Sequence, residues 1–256
     1  MIRALRIVQR NALVYRRTWR GSLFFSFLQP TLFLVAMGLS LGGLIDRGGA
    51  SLPGGVPFLQ FLAPGLLAAA CMQTAGFESS YPISGKMTWQ RNYEAINTTP
   101  IRIVDLVVGE LVWVAVRLST VAIAFAAVMA GFGVRLPPSA WLAVPAAVLT
   151  GLAFSAPIIA FAGTLKGGND FNALFRFVLT PLFLFSGVFF PVARLPRVLQ
   201  LVAWWTPLFH GVALVRGLTL STVEPGDGLI HVAYLMGLMT LGGVAAVRTF
   251  DRRLRA

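Results

Sequence analysis

Three ionisable residues lie where charge is costly. Glu78, Glu110 and Arg117 all fall inside or at the edge of long apolar runs. Charge at such depth faces protein or water, and it marks a pathway, a relay or a structural pair. Glu110 and Arg117 are seven residues apart, which in one helix is two turns and about 10 Å along the axis. They share a face but are too distant to pair closely unless both side chains bend toward each other. Three roles stay open for them: pairing or snorkelling, a packing role that relays motion from the preceding loop, and contact with a substrate. Glu78 and Glu110 are the acids that could form a proton relay. His210 and the Trp204-Trp205 pair form a further candidate group, and that histidine is either structural or catalytic. Two histidines and one cysteine, in different segments, give no metal or nucleophile constellation. No glycine loop ending in Lys-Ser or Lys-Thr is present, so ATP hydrolysis is not assigned to this chain.

The elements that position these residues are apolar. Residues 22–45, 56–77, 118–134, 136–165, 177–193 and 229–247 carry no charge. A stretch of about 20 apolar residues spans the roughly 30 Å hydrocarbon core as a helix. The chain is 57% hydrophobic and only 12% charged, against about 25% charged in soluble domains, which leaves no room for a folded domain outside the membrane. Cys71 is the single cysteine, which excludes an intrachain disulfide. A removable secretory signal is not expected, because the first run is too long and no small-residue cleavage site follows a short apolar core.

The net charge of +12 could point to nucleic acid, but its placement points to topology. Fifteen basic residues fall in the amino-terminal segment, the tail and two alternate loops, and five fall in the other loops. Basic residues collect on the cytoplasmic side. Both termini are therefore expected in the cytoplasm, with an even number of spans. Residues 198–215 are uncharged, yet counting them as a span would put the basic tail outside. A pair of half-inserted helices broken near Thr206-Pro207 preserves the parity, provided protein or a water-filled cavity satisfies the irregular backbone. The expected fold is an all-α polytopic membrane protein of six transmembrane helices, with a re-entrant external hairpin between helices 5 and 6.

Two polar segments carry further signals. In residues 1–20, Ile2, Leu5, Val8, Ala12, Tyr15 and Trp19 recur at three- and four-residue steps, while Arg3, Arg6, Arg10 and Arg17 lie on another stripe. That periodicity predicts an amphipathic helix in the membrane plane, able to pair with anionic lipid; a plain topogenic signal is the alternative. In residues 85–102, Trp89, Tyr93 and Ile96 fall on one face of a short helix, Arg91 and Glu94 lie elsewhere around it, and Pro100 closes it. This helix is either a docking knob for a soluble partner or an interfacial anchor.

Three stretches carry a resemblance: FLAPGLLAAACMQTAGFESSY (61–81), TWQRNYEAINTTPIRIVDLVVGELVW (88–113) and LTPLFLFSGVFFPVARLPRVLQLVAWWTPLFHGVALVRG (179–217). In these stretches, and most specifically in the last one's order of SGVFFP, LP, PL-x-H and RG, the chain resembles the membrane (permease) subunit of a type-2 ABC exporter, particularly the lipo-oligosaccharide (nodulation-factor) and daunorubicin-resistance branch. The resemblance spans about residues 5–250, with a more basic, acid-poor amino terminus than nodulation-type permeases. It implies one transmembrane domain over 1–256, with residues 1–20 as interface helix, 86–98 as coupling helix and 191–217 as the external re-entrant region. Trp89, Arg91, Tyr93, Glu94 and Ile96 would then couple to the ATPase. Glu110 would match an acidic position at the start of the third span. Glu78, Glu110, Arg117, Phe189, Phe190, Trp204, Trp205 and His210 are the gate or cavity candidates.

The resemblance also implies a second permease copy, likewise expected as a homodimer, two ATP-binding cassette subunits that hold the ATP and Mg, and surrounding membrane lipids, with no nucleic acid and no cofactor in this chain. The cargo expected is an amphiphilic drug, a lipid-linked molecule or a glycolipid. Phe183, Phe185, Phe189 and Phe190 suit such a cargo or dimer packing equally. A proton-coupled secondary carrier, or a membrane enzyme or assembly protein outside transport, are the competing classes.

Overall fold

The computed structural model describes residues 2–47, 55–165 and 170–255, and every regular element among them is helical. The polar loop expected at 46–55 and Lys166 fall largely outside the described residues. Helix α1 is Ile2–Tyr15. Helix α2, Trp19–Phe33, runs through a π-helical stretch, Leu34–Leu41, into α3, Gly42–Arg47. Pro30 inside α2 removes one backbone donor just before the wider turns begin. Helices α4 (Phe58–Ser79), α5 (Tyr81–Thr88) and α6 (Asn92–Asn97) lead to α7 (Ile103–Gly131) and α8 (Ala143–Thr164). Then come α9 (Asp170–Leu174), α10 (Thr180–Phe185), α11 (Arg197–Trp204), α12 (Pro207–Leu220) and α13 (Pro225–Arg255).

Among the described residues five helical segments are long and apolar enough to cross a bilayer: Trp19–Leu44, Phe58–Thr88, Ile103–Gly131, Pro138–Thr164 and Pro225–Arg255. The fifth span expected from 177 is different. It starts earlier and forms a short apolar helix, Phe171–Phe185, with a π turn at Phe175–Leu179 ahead of Pro181. Fifteen residues rise only about 22 Å, less than the roughly 30 Å of hydrocarbon. Pro157 lies inside α8, whereas Pro145 falls in its first turn, where a missing N–H is harmless.

Helices α11 and α12 meet at 84°, at the break expected near Thr206-Pro207. Thr206 caps α12 by accepting from the Phe209 N–H at 3.3 Å. The chain is therefore an all-α polytopic membrane protein, with five long apolar helices, one short one and a bent pair among the described residues.

Helix α8 is central and packs against α4, α7, α12 and α13. The larger apolar core, including Leu62, Met72, Leu118, Phe125 and Leu208, joins these helices. A smaller core at the end holding α1, α5 and α6 gathers Ile83, Met87, Tyr93, Leu106, Phe171 and Phe250. Helix α1 lies on α7 through Ala4, Ile7 and Asn11, which are buried. Gly109 permits that approach, since a Cβ there would stand 2.7 Å from Ile7 Cβ and 2.9 Å from the Ala4 carbonyl oxygen. The apolar stripe expected in residues 1–20 points outward at Leu5 in α1 and at Trp19 in the first turn of α2.

Candidate functional site

Helix α7 carries two charged stations on one side. The first centres on Glu110, whose side chain is 1% exposed. Lys86 Nζ donates to both carboxylate oxygens at 2.8 Å, the Tyr93 hydroxyl donates to Oε1 at 2.9 Å, and Asn11 Nδ2 donates to Oε2 at 3.0 Å. One carboxylate thus ties together α1, α5, α6 and α7. Full burial of an anion is tolerable only when it is paired and hydrogen-bonded in this way. The Tyr93 phenol is pushed well above its ordinary value, first by burial and then by the charge of Glu110, so it stays a donor.

The second station is Arg117, about 10 Å further along the helix. Its Nε donates to Glu78 Oε1 at 2.9 Å, Nη1 to the Tyr15 hydroxyl at 2.7 Å, and Nη2 to Ser22 Oγ at 2.6 Å. The guanidinium also lies 4.4 Å from the centre of the Tyr15 ring. The planar, five-donor fork of arginine satisfies three separated acceptors at once. Here α2, α4 and α7 meet the end of α1. Beside this station is an amphipathic cavity of about 290 Å³, with Ser22, Gln29, Glu78 and Arg117 among its polar walls and Phe77 and Val121 among its apolar ones. Gln29 Nε2 donates to Gln73 Oε1 at 3.2 Å along the same wall.

The segment expected as one short coupling helix is two helices. Arg91 adopts a left-handed backbone, φ 48°, and separates α5 from α6. Trp89, Tyr93 and Ile96 therefore do not share a face. Trp89 is 80% exposed, whereas Tyr93 is fully buried against Phe250, with ring centres 5.6 Å apart. Ile96 is partly buried beside it. Arg91 and Glu94 are exposed and lie 4.0 Å apart. The 93–96 stripe faces inward because a carboxylate in α7 requires the tyrosine hydroxyl.

At the opposite end, Arg216 braces the bent pair. Its Nε donates to the Phe61 carbonyl at 3.0 Å, and Nη2 donates to the Gly187 and Val188 carbonyls at 2.9 and 3.2 Å. These carbonyls belong to α4 and to the irregular segment after α10. Gly65 makes room, since a Cβ there would stand 2.8 Å from Arg216 Nη2 and 3.0 Å from the Val188 oxygen. Ser186 and Thr206 hydroxyls lie 3.0 Å apart and join the same segment to the bend. Phe189 packs edge-on to Phe183 at 5.0 Å, and Phe190 is half-buried.

His210 is fully buried. Its Nε2 lies 2.8 Å from the Trp204 carbonyl, which can only accept, so that nitrogen carries a proton. In the neutral ring, Nδ1 then accepts from His231 Nδ1, 2.8 Å away. Tyr234 stacks on the His210 ring at 4.0 Å and donates to the Trp205 carbonyl at 2.5 Å. Trp204 and Trp205 remain largely exposed. His231 and Tyr234 lie about 9 and 14 Å into α13. The far end of α12 meets Ser139, in the α7–α8 connection, whose Oγ donates to the Leu218 carbonyl at 2.8 Å. The bend is thus deeper in the bundle than the tip of α12.

Structure joins residues that sequence reasoning kept apart. Glu110 and Arg117 share a side of α7 as expected, but each takes other partners. Lys86, Asn11, Tyr15, Ser22 and Arg216 were not among the expected site residues. The signal for Arg216 was available, because a lone cation closing a long uncharged run must find acceptors.

Comparisons with known proteins agree with this architecture. Residues 4–220 match the ABC-2 type transporter family. The chain is 32% identical over 213 residues to nodulation protein J of Rhizobium leguminosarum bv. trifolii, covering 83% of this chain and 79% of that one. It is 30% identical over 248 residues to nodulation protein J of Sinorhizobium fredii, covering 96% and 92%. The inner membrane transport permease YadH of Escherichia coli is 26% identical over 208 residues, covering 79% and 77%. With its span helices, bent pair and match over most of its length, the chain belongs to the ABC-2 type transporter family.

Proposed function

We propose that this permease works as a pair of identical copies driven by two ATP-binding subunits, and that it exports an amphiphile with a polar, sugar-like head. The observation that carries the reading is the Glu110 node. A surface fit for a soluble partner, at Trp89, Arg91 and Glu94, is wired through α5 and α6 to a buried carboxylate on a long span helix. A push on Trp89 reaches α7 through a charged pair rather than through a soft loop. The same node holds α1, so the interface helix moves with it.

The basic residues orient the chain. Those on α1 and α5, at Arg91 and in the tail outnumber those at the opposite end, which favours a cytoplasmic Glu110 node and cytoplasmic termini. The cavity beside Arg117 then opens a polar wall within the inner half of the membrane, suited to hydroxyl-rich head groups. The Phe33, Phe183 and Phe189 cluster lies further along, where an acyl chain or a partner copy fits. Helices α11 and α12 form the outer re-entrant cap, held by Arg216 and the His210–His231 pair. A cargo is driven only if its affinity differs between the inward and outward states. The relatives named for nodulation favour a lipo-oligosaccharide over a drug as cargo.

The test is reconstitution of the permease with its cognate ATP-binding subunit and a panel of labelled amphiphiles. The reading expects ATP hydrolysis stimulated by lipo-oligosaccharides and accumulation of these on the opposite side. Stimulation by none of the panel would refute it.

A further inference from the structure

A second cavity adjoins the Arg117 station. It measures about 310 Å³ and lies between α1, α5 and α7, with Arg10, Tyr15, Thr18, Lys86, Gln90 and Arg117 among its walls. Its charges do not balance. Lys86 is paired with Glu110, and Arg117 with Glu78. Arg10 is left over. Its Nη1 is the single buried side-chain nitrogen or oxygen among the described residues without a hydrogen-bond partner. The Arg10 guanidinium lines the cavity with no carboxylate paired to it, so an anion entering there meets an unbalanced charge. Beside the cavity, Leu13 and Val14 are 66% and 62% exposed, although they are apolar and α1 lies flat on the bundle.

We propose that this cavity is a binding site for one phosphodiester anion, with the Arg10 guanidinium as its principal donor. The excess of one positive charge matches one singly charged group. Guanidinium donors suit phosphate oxygens. A lipid head group and a soluble phosphate share this chemistry. The exposed Leu13 and Val14 offer acyl-chain contact and favour the lipid, whose phosphate lies at the depth of an interfacial helix. Occupancy would fasten α1 to α5 and so stiffen the Glu110 node.

Native mass spectrometry of the detergent-solubilised full chain tests this, using phosphatidylglycerol, diacylglycerol and inorganic phosphate as separate probes. Phosphatidylglycerol is expected to be retained, and Arg10→Gln to weaken its binding about tenfold, as loss of one charge-assisted bond implies. Arg10→Lys restores part of it, and Arg16→Gln, on the exposed side of the chain, leaves it unchanged. Competition by millimolar inorganic phosphate would support the anion site while assigning it to soluble phosphate. Equal binding by Arg10→Gln, or equal retention of diacylglycerol, which lacks the phosphodiester, overturns the site. Elution and melting of lipid-free Arg10→Gln, matched to the parent, separate lost binding from misfolding. The readout needs neither cargo nor ATPase, so it stands apart from the export reading.

Discussion

Glu110 and Arg117 stand two turns apart on one side of α7, and neither pairs with the other. Glu110 accepts from Lys86 at 2.8 Å, and Arg117 donates to Glu78 at 2.9 Å. Each charge thus binds a different set of helices to α7. The first set reaches the exposed segment at Trp89, and the second lines the cavity beside Arg117. A displacement of α7 moves both.

The Glu110 node should be costly to break from one side. Glu110→Gln leaves Lys86 without its counter-ion and is expected to lower stability by about 3–5 kcal/mol, the usual range for halving a buried pair. Thermal unfolding of the purified permease measures it. Lys86→Met combined with Glu110→Leu should recover only the part due to the stranded charge, because the Tyr93 and Asn11 donors stay without their acceptor.

Trp89 and Tyr93 should separate cleanly. Trp89→Ala removes an exposed ring, so stability should stay within about 0.5 kcal/mol. Affinity for the ATP-binding subunit should fall about thirtyfold if the ring is a central anchor, which corresponds to about 2 kcal/mol. Tyr93→Phe should do the reverse, costing about 1–3 kcal/mol of stability through the donor lost to Glu110. Co-purification yield and melting temperature read the two effects.

Alkaline titration reports Tyr93 directly. Its folded phenol is held above the unfolded value of about 10 by burial and by Glu110. The neutral ring's contribution is complete below pH about 10 and is lost as pH rises through the folded value. Phenolate absorbance of one of the four tyrosines should therefore appear only with unfolding. Tyr93→Phe should flatten the fall in stability above pH 10.

Arg216 should hold the outer cap. Arg216→Met strands the Phe61, Gly187 and Val188 carbonyls that the guanidinium now serves. Gly65→Ala forces a methyl against Val188 backbone and should cost about 1–3 kcal/mol as overpacking. Both variants should insert normally and let small polar dyes leak through proteoliposomes. Intact vesicles would show that the brace does not seal the exit.

Much of this was legible in the sequence, because apolar length and arginine placement follow from bilayer physics. The broken pair at Thr206-Pro207 emerged from charge parity, and the side shared by Glu110 and Arg117 from helix period. What failed was local. Residues 86–98 read as one helix because nothing in Gln90-Arg91-Asn92 forbids a continuous turn. Burial of Tyr93 beneath α7 enforces the left-handed Arg91 instead. The short helix at Phe171–Phe185 was misplaced because charge-free runs mark apolar residues, whereas Pro181 and the neighbouring π turn fix where the helix bends. Partners such as Lys86 for Glu110 lie 24 residues away, beyond any periodic pattern.

The central claim is that the permease has no engine of its own and is driven through the Glu110 node. Transport of labelled lipo-oligosaccharide into proteoliposomes tests it most directly, comparing the permease alone under an imposed proton gradient with the complete complex given ATP. The account predicts movement only in the second case, abolished by Glu110→Gln with ATP binding intact. Movement by the permease alone, driven by protons, would contradict it.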